Sequence, residues 1–96
     1  MGNERFEKLC IDVVRTYYNQ NIAETVGEWI SNDDIYIVWL CKILGNNKAL
    51  ISTTVPDTRY YEITYNGEKN EIYVDAYIKE KNYAVSLEPM TVGGKA

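Results

Sequence analysis

The chain has 96 residues, 46% of them hydrophobic, with nine tyrosines, two cysteines, no histidine and a net charge of −4. Such a chain makes one domain near the lower end of what buries its own core, and it is too apolar to be disordered by default. Lacking histidine, it has no Ser–His or Cys–His nucleophile pair and no imidazole metal ligand.

Residues 1–34 carry three basic and seven acidic side chains, whereas residues 35–96 carry seven of each. The acidity belongs to the N-terminal third. The remainder is balanced and has no basic stripe, which argues against a nucleic-acid groove and against a membrane surface. No apolar run is long enough to span a bilayer. The first twenty residues interleave charges with hydrophobes, unlike a signal peptide, and the Ser/Thr of a myristoylation signal is missing after Gly2. The expected location is the cytoplasm.

Phe6, Leu9, Cys10, Val13, Val14 and Tyr17 recur with a 3.6-residue period and predict an amphipathic helix from Asn3 to about Asn19. Asn3 is the expected N-cap, with Glu4 and Glu7 near the positive end of the helix dipole. Ile22–Val26 extends the pattern by a turn before Gly27, and Trp29 and Ile30 are expected to pack across the end of the sheet. Ser31-Asn32-Asp33-Asp34 reads either as a turn before a strand or as a capping box opening a helix that Gly45 would close. The next five residues, Ile35-Tyr36-Ile37-Val38-Trp39, are all β-branched or aromatic and favour the strand.

From there the chain alternates strands and turns. The segments are Ile35–Leu44, Gly45-Asn46-Asn47, Lys48–Val55, Pro56-Asp57-Thr58, Arg59–Tyr65, Asn66-Gly67 and Glu71–Lys79. Tyr83–Leu87 reads as a fifth, edge strand. The expected fold class is α+β, with the N-terminal helix packed on one face of a four- to five-stranded antiparallel meander. Residues 1–88 form the domain and residues 89–96 a frayed tail.

Period-2 alternation separates two faces. Ile35, Ile37, Trp39, Cys41 and Ile43 in the first strand join Ala49, Ile51, Tyr61, Ile63, Ile72, Val74, Ala76 and Ile78 on an inner face that receives the helix. Tyr36, Leu40, Lys42, Leu50, Tyr60, Glu62, Tyr73, Asp75 and Tyr77 fall on the outer face. The blurred alternation of the first strand suggests a central position. Cys10 and Cys41 then both fall on inward faces where they can be neighbours; free thiols are expected, with a disulfide as the alternative outside a reducing compartment.

At Asn66-Gly67 a two-residue loop would oppose Glu62 and Glu71. A four-residue loop, Asn66–Lys69, pairs Ile63 with Ile72 and keeps the same faces, so it is preferred.

No Gly-rich phosphate loop and no calcium-loop spacing occurs, and no cofactor is implied. Glu62, Asp75 and Lys42 share the outer face but would need desolvation to act as acid and base, so the chain reads as a non-enzyme. The outer face is the better lead. Tyr36, Leu40, Lys42, Lys48, Tyr60, Glu62, Tyr73, Asp75 and Tyr77 combine stiff aromatic contact area with mixed charge, as protein-binding faces do. Self-association through the same face is the competing reading. A base-stacking nucleotide site with Lys42 or Lys48 on phosphate is a further alternative.

The pattern W-x-C-K-x-L-x-N-x-K-A from Trp39 to Ala49 is followed by Ser52-Thr53-Thr54, by Tyr60-Tyr61-Glu62-Ile63-Thr64-Tyr65-Asn66-Gly67, and by Glu71-Ile72-Tyr73-Val74-Asp75-Ala76-Tyr77. Over about residues 35–80 this resembles an uncharacterised family of small proteins carried by phages and prophages of low-GC Gram-positive bacteria. The resemblance implies a phage accessory or virion-associated origin and assigns no catalytic residue. The expected function is a non-catalytic protein that binds and inhibits a host protein such as a defence-system component. A minor virion or assembly component and a nucleotide-sequestering protein are the alternatives.

Overall fold

Phe6, Cys10, Val14 and Tyr18 repeat at four-residue intervals and form the fully buried line of helix α1 (Asn3–Asn21). The line continues to Ile22, while Val13 and Tyr17 lie half-buried beside it, so the stripe runs through Tyr18 rather than Tyr17. The computed structural model describes residues 1–55 and 59–88. The Pro56-Asp57-Thr58 turn and the tail expected at 89–96 lie outside the described residues. Gly2, not Asn3, is the N-cap, and its carbonyl accepts the Phe6 N–H at 3.0 Å.

A short helix α2 (Ala23–Val26) ends at Gly27, whose φ of 78° is the left-handed conformation that glycine adopts without strain. The Gly27 and Glu28 N–H groups both donate to the Ala23 carbonyl, at 2.7 and 3.1 Å. Ile30 is buried as expected, but Trp29 is exposed. Adjacent residues of an extended chain point to opposite sides, so seating Ile30 turns Trp29 outward.

Both readings of Ser31–Asp34 hold a part of the answer. The Ser31 N–H donates to Asp34 Oδ2 at 2.9 Å, but the helix so capped is one 3₁₀ turn, Asn32–Asp34, and the strand begins at Ile35. That backbone hydrogen bond, more than any other contact, holds the Asp34 carboxyl below its ordinary range.

Strands β1 (Ile35–Ile43), β2 (Asn46–Thr53), β3 (Arg59–Asn66) and β4 (Glu71–Ile78) form an antiparallel sheet in the order β1-β2-β3-β4. The fold is α+β, one long helix on an open four-stranded meander. Residues 79–87 are described but form no fifth strand. β1 is an edge strand, not a central one, and its blurred alternation has another cause. Ile37 pairs with Ile51 and Trp39 with Leu50, leaving Val38 as the extra residue of a β-bulge.

Beyond the bulge the faces exchange. Leu40 pairs with the fully buried Ala49 and packs on the core, while Trp39, Cys41 and Ile43 turn outward. The β1–β2 turn sets this parity. It is the two-residue Leu44-Gly45, which opposes Ile43 to Asn46, rather than Gly45-Asn46-Asn47. The bulge reconciles that register with Ile35 and Ile37 facing inward.

The β3–β4 loop has four residues, but they are Gly67–Asn70, so Asn66 pairs with Glu71 and Ile63 with Val74. Asn66 Oδ1 accepts the N–H groups of Glu68 and Lys69 at 3.0 and 3.2 Å, closing the loop one residue later than expected. Asn70 takes the left-handed position at φ 52°, and its Oδ1 accepts the Tyr65 hydroxyl at 2.9 Å.

The core lies where α1 crosses β1 and β2, reaching β3 through the edge-on contact of Tyr17 with Tyr61 at 5.7 Å. A helix about 10 Å across covers roughly two strands spaced about 4.8 Å apart. The inner face of β4, read from the sequence as core, packs on it only at Ile72 and is otherwise open: Val74, Ala76 and Ile78 remain exposed. No helix among the described residues is long and apolar enough to cross a membrane.

Candidate binding face

The outer face can be built row by row from the register. Trp39, Leu50, Glu62 and Asp75 form one cross-strand row, and Cys41, Lys48, Thr64 and Tyr73 the next. Tyr60 opposes Tyr77 beside the first row, and Tyr36 opposes Ser52 at its β1 end. Tyr36, Trp39, Tyr73 and Tyr77 are 48%, 42%, 43% and 52% exposed, so each presents about half of a ring to solvent. Tyr60 is half-buried, with the Lys79 ammonium 5.7 Å from its ring centroid.

Polar contacts hold these rings in place. Lys48 Nζ lies 3.5 Å from Glu62 Oε2, and the Tyr77 hydroxyl donates to Glu62 Oε1 at 3.3 Å. The charge of Glu62, and secondarily that of Asp75, pushes the Tyr77 phenol above its ordinary pKa. The Tyr73 hydroxyl donates to Glu71 at 2.7 Å, and this hydrogen bond raises its pKa. Both phenols stay protonated donors across the neutral range. Glu62 stands directly opposite Asp75, and Asp75 has no ion pair among the described residues. The face thus carries a partly uncompensated negative charge amid aromatic rings.

Seven of the nine residues read from the sequence as a binding set are brought together here: Tyr36, Lys48, Tyr60, Glu62, Tyr73, Asp75 and Tyr77. Leu40 and Lys42 are not. The Val38 bulge puts Leu40 against the core and places Lys42 opposite the buried Asn47 on the inner side. The two lysines considered for a phosphate therefore sit on opposite sides of the sheet, and Lys48 is already engaged by Glu62.

Trp39 and Ile43 are the outer residues that the sequence reading missed. A two-residue turn at Leu44-Gly45, counted back from Asn46, was the signal that would have found them. A depression of about 270 Å³ beside them is lined by Cys41, Ile43, Asn46, Asn47, Lys48 and Thr64. Cys41 and the buried Cys10 are both free thiols but lie on opposite sides of the sheet, so they are not the neighbours expected. Among the described residues no group of three or more Cys, Asp or Glu side chains is placed to hold a metal ion.

No curated protein and no solved structure matches the chain. A family model does, over residues 7–87, which takes in most of α1, the whole sheet and the segment after β4. The chain belongs to the family of unknown function DUF6275.

Proposed function

We propose that this is a non-catalytic binding protein whose outer sheet face docks a protein partner. One observation carries the reading: Tyr36, Trp39, Tyr73 and Tyr77 are half-exposed together on a sheet face that no described part of the chain covers. Isolated exposed rings are ordinary, but a set of them in adjacent rows is the composition of an interface centre. The rings lose little side-chain entropy on docking, because Glu62 and Glu71 already hold two of their hydroxyls. A matching partner brings aliphatic groups to the rings and a cation to Asp75. The finer reading is that of the phage resemblance, in which the partner is a host protein such as a defence-system component and docking inhibits it.

The test is retention of partner proteins from host lysate on the immobilised chain, followed by titration of the purified candidate. Trp39→Ser and Tyr77→Ser are each expected to weaken binding at least about tenfold, equivalent to ~1.4 kcal/mol, with unchanged circular dichroism. Lys8→Ser, on the solvated side of α1, is expected to leave binding unchanged. Equal retention by all variants would refute the assignment of this face.

A further inference from the structure

A second surface lies on the other side of the sheet and has no part in the outer-face reading. Among the described residues β4 is an edge strand with one hydrogen-bonding side unpaired, and its inner-facing Val74 and Ile78 are exposed. Between α1 and this strand runs a groove of about 390 Å³, whose apolar walls include Val13, Tyr17 and Val74. The chain leaves β4 as a segment without secondary structure. In that segment Tyr83, Val85 and Leu87 alternate with Ala84 and Ser86 and are 72%, 63% and 71% exposed. Strict alternation of large apolar residues is the signature of a strand buried on one face, yet among the described residues no strand pairs with it.

One chain therefore displays an unpaired edge with a bare apolar face and a strand-patterned segment with nowhere to lie. The intervening Lys79-Glu80-Lys81-Asn82 is a short linker, and a short hinge favours exchange of the segment between chains over its return onto its own β4. Among the described residues the segment forms no ladder with β4 or with any other strand. The family match continues through residue 87, so the segment belongs to the shared sequence rather than to an appended tail.

We infer that the partner of this surface is a second copy of the chain. In the resulting two-fold dimer, residues 83–87 of each protomer add as a fifth strand to β4 of the other. Tyr83, Val85 and Leu87 then lie beside Val74 and Ile78 at the groove. Edge pairing satisfies the facing backbone groups of both strands, and reciprocal exchange makes the contact twofold and self-limiting.

The test uses full-length chains with Cys41→Ser, leaving the buried Cys10 in place. Chains carrying Val85→Cys alone and chains carrying Ile78→Cys alone are mixed and oxidised mildly. The expected result is a disulfide-linked heterodimer as the main product, with neither variant forming it alone. Val85→Asp is expected to convert the wild-type dimer to a monomer in light scattering at about 100 μM. A wild-type monomer at that concentration would overturn the proposal. So would a Val85→Cys/Ile78→Cys double variant that closes its disulfide within one chain.

Discussion

The side-chain amide of Asn19 bonds both backbone groups of Ile30, accepting its N–H at 2.9 Å and donating to its carbonyl at 3.1 Å. Asn19 lies near the end of α1, and Ile30 is the core residue of the irregular stretch before the sheet. One side chain thus does for Ile30 what a neighbouring strand would do. Asn19→Ala leaves a partly buried donor and acceptor unpaired and is expected to cost about 1–3 kcal/mol, read as a lower urea midpoint. Asn19→Asp keeps the acceptor but turns a carboxylate oxygen onto the Ile30 carbonyl near the negative end of α1, so it should destabilise at least as much as Asn19→Ala.

The two hairpin ends nearest β2 touch each other and set opposite demands. Leu44 sits at φ 56°, a left-handed conformation that a leucine adopts only under strain, and its side chain is almost fully exposed. Leu44→Asn is expected to stabilise the protein by about 1 kcal/mol in thermal unfolding, since asparagine tolerates that backbone and no packing is lost. Gly67 behaves in the opposite way. Its N–H donates to Asn46 Oδ1 at 3.2 Å, and a Cβ there would collide with the Gly45 carbonyl oxygen. Gly67→Ala should destabilise by at least about 1 kcal/mol.

The two thiols should separate cleanly by reagent access. Cys41 lines the outer depression and is expected to react with a disulfide reagent in the native protein, whereas Cys10 reacts only on unfolding. Burial, with the charge of Glu7 adding to it, pushes the Cys10 thiol from 9.0 up to about 12. The folded chain keeps Cys10 protonated at pH values where the unfolded chain ionises it. Stability present below pH 9 is therefore lost progressively as the pH rises toward about 12. The raised phenols of Tyr73 and Tyr77 act in the same direction. Cys10→Ala should flatten the alkaline slope of the unfolding free energy, whatever its effect at neutral pH.

Removing Val38 tests the bulge. Every other β1–β2 partner can be kept in the shortened strand, with Trp39 following Ile37 directly. The deletion variant is expected to fold with a loss no larger than about 1 kcal/mol. Trp39 fluorescence in a Trp29→Phe background should remain as accessible to acrylamide as before. A variant that fails to fold would show that the sheet requires the added local twist.

These outcomes also mark how far the residues speak for themselves. The helix, the four strands as elements and the two faces of β3 and β4 are legible; the helix, β3 and β4 each rest on a repeat of six or more residues with a single period. The faces of β1 do not, since its run from Ile35 to Leu40 contains no polar residue to reveal where the parity changes. Trp29 misleads for a related reason: a large apolar residue beside another cannot show which of them the core takes. The open inner face of β4 is invisible from the chain alone, since Val74, Ala76 and Ile78 are patterned as well as any core strand. What leaves them bare is the width of one helix, a quantity set by backbone geometry rather than by any residue.

That single helix layer also divides the sheet mechanically. β1 and β2 are clamped between α1 and their own ladder, while β4 is hydrogen-bonded to the body through β3 and packs on the core chiefly at Ile72. Opening the β4 ladder sacrifices little buried apolar surface, so amide hydrogen exchange should rise in steps from β2 outward to β4. The meander is then a graded structure, rigid at the helix and compliant at its free margin. A protein arranged in this way can accept a new neighbour at that margin without disturbing its core.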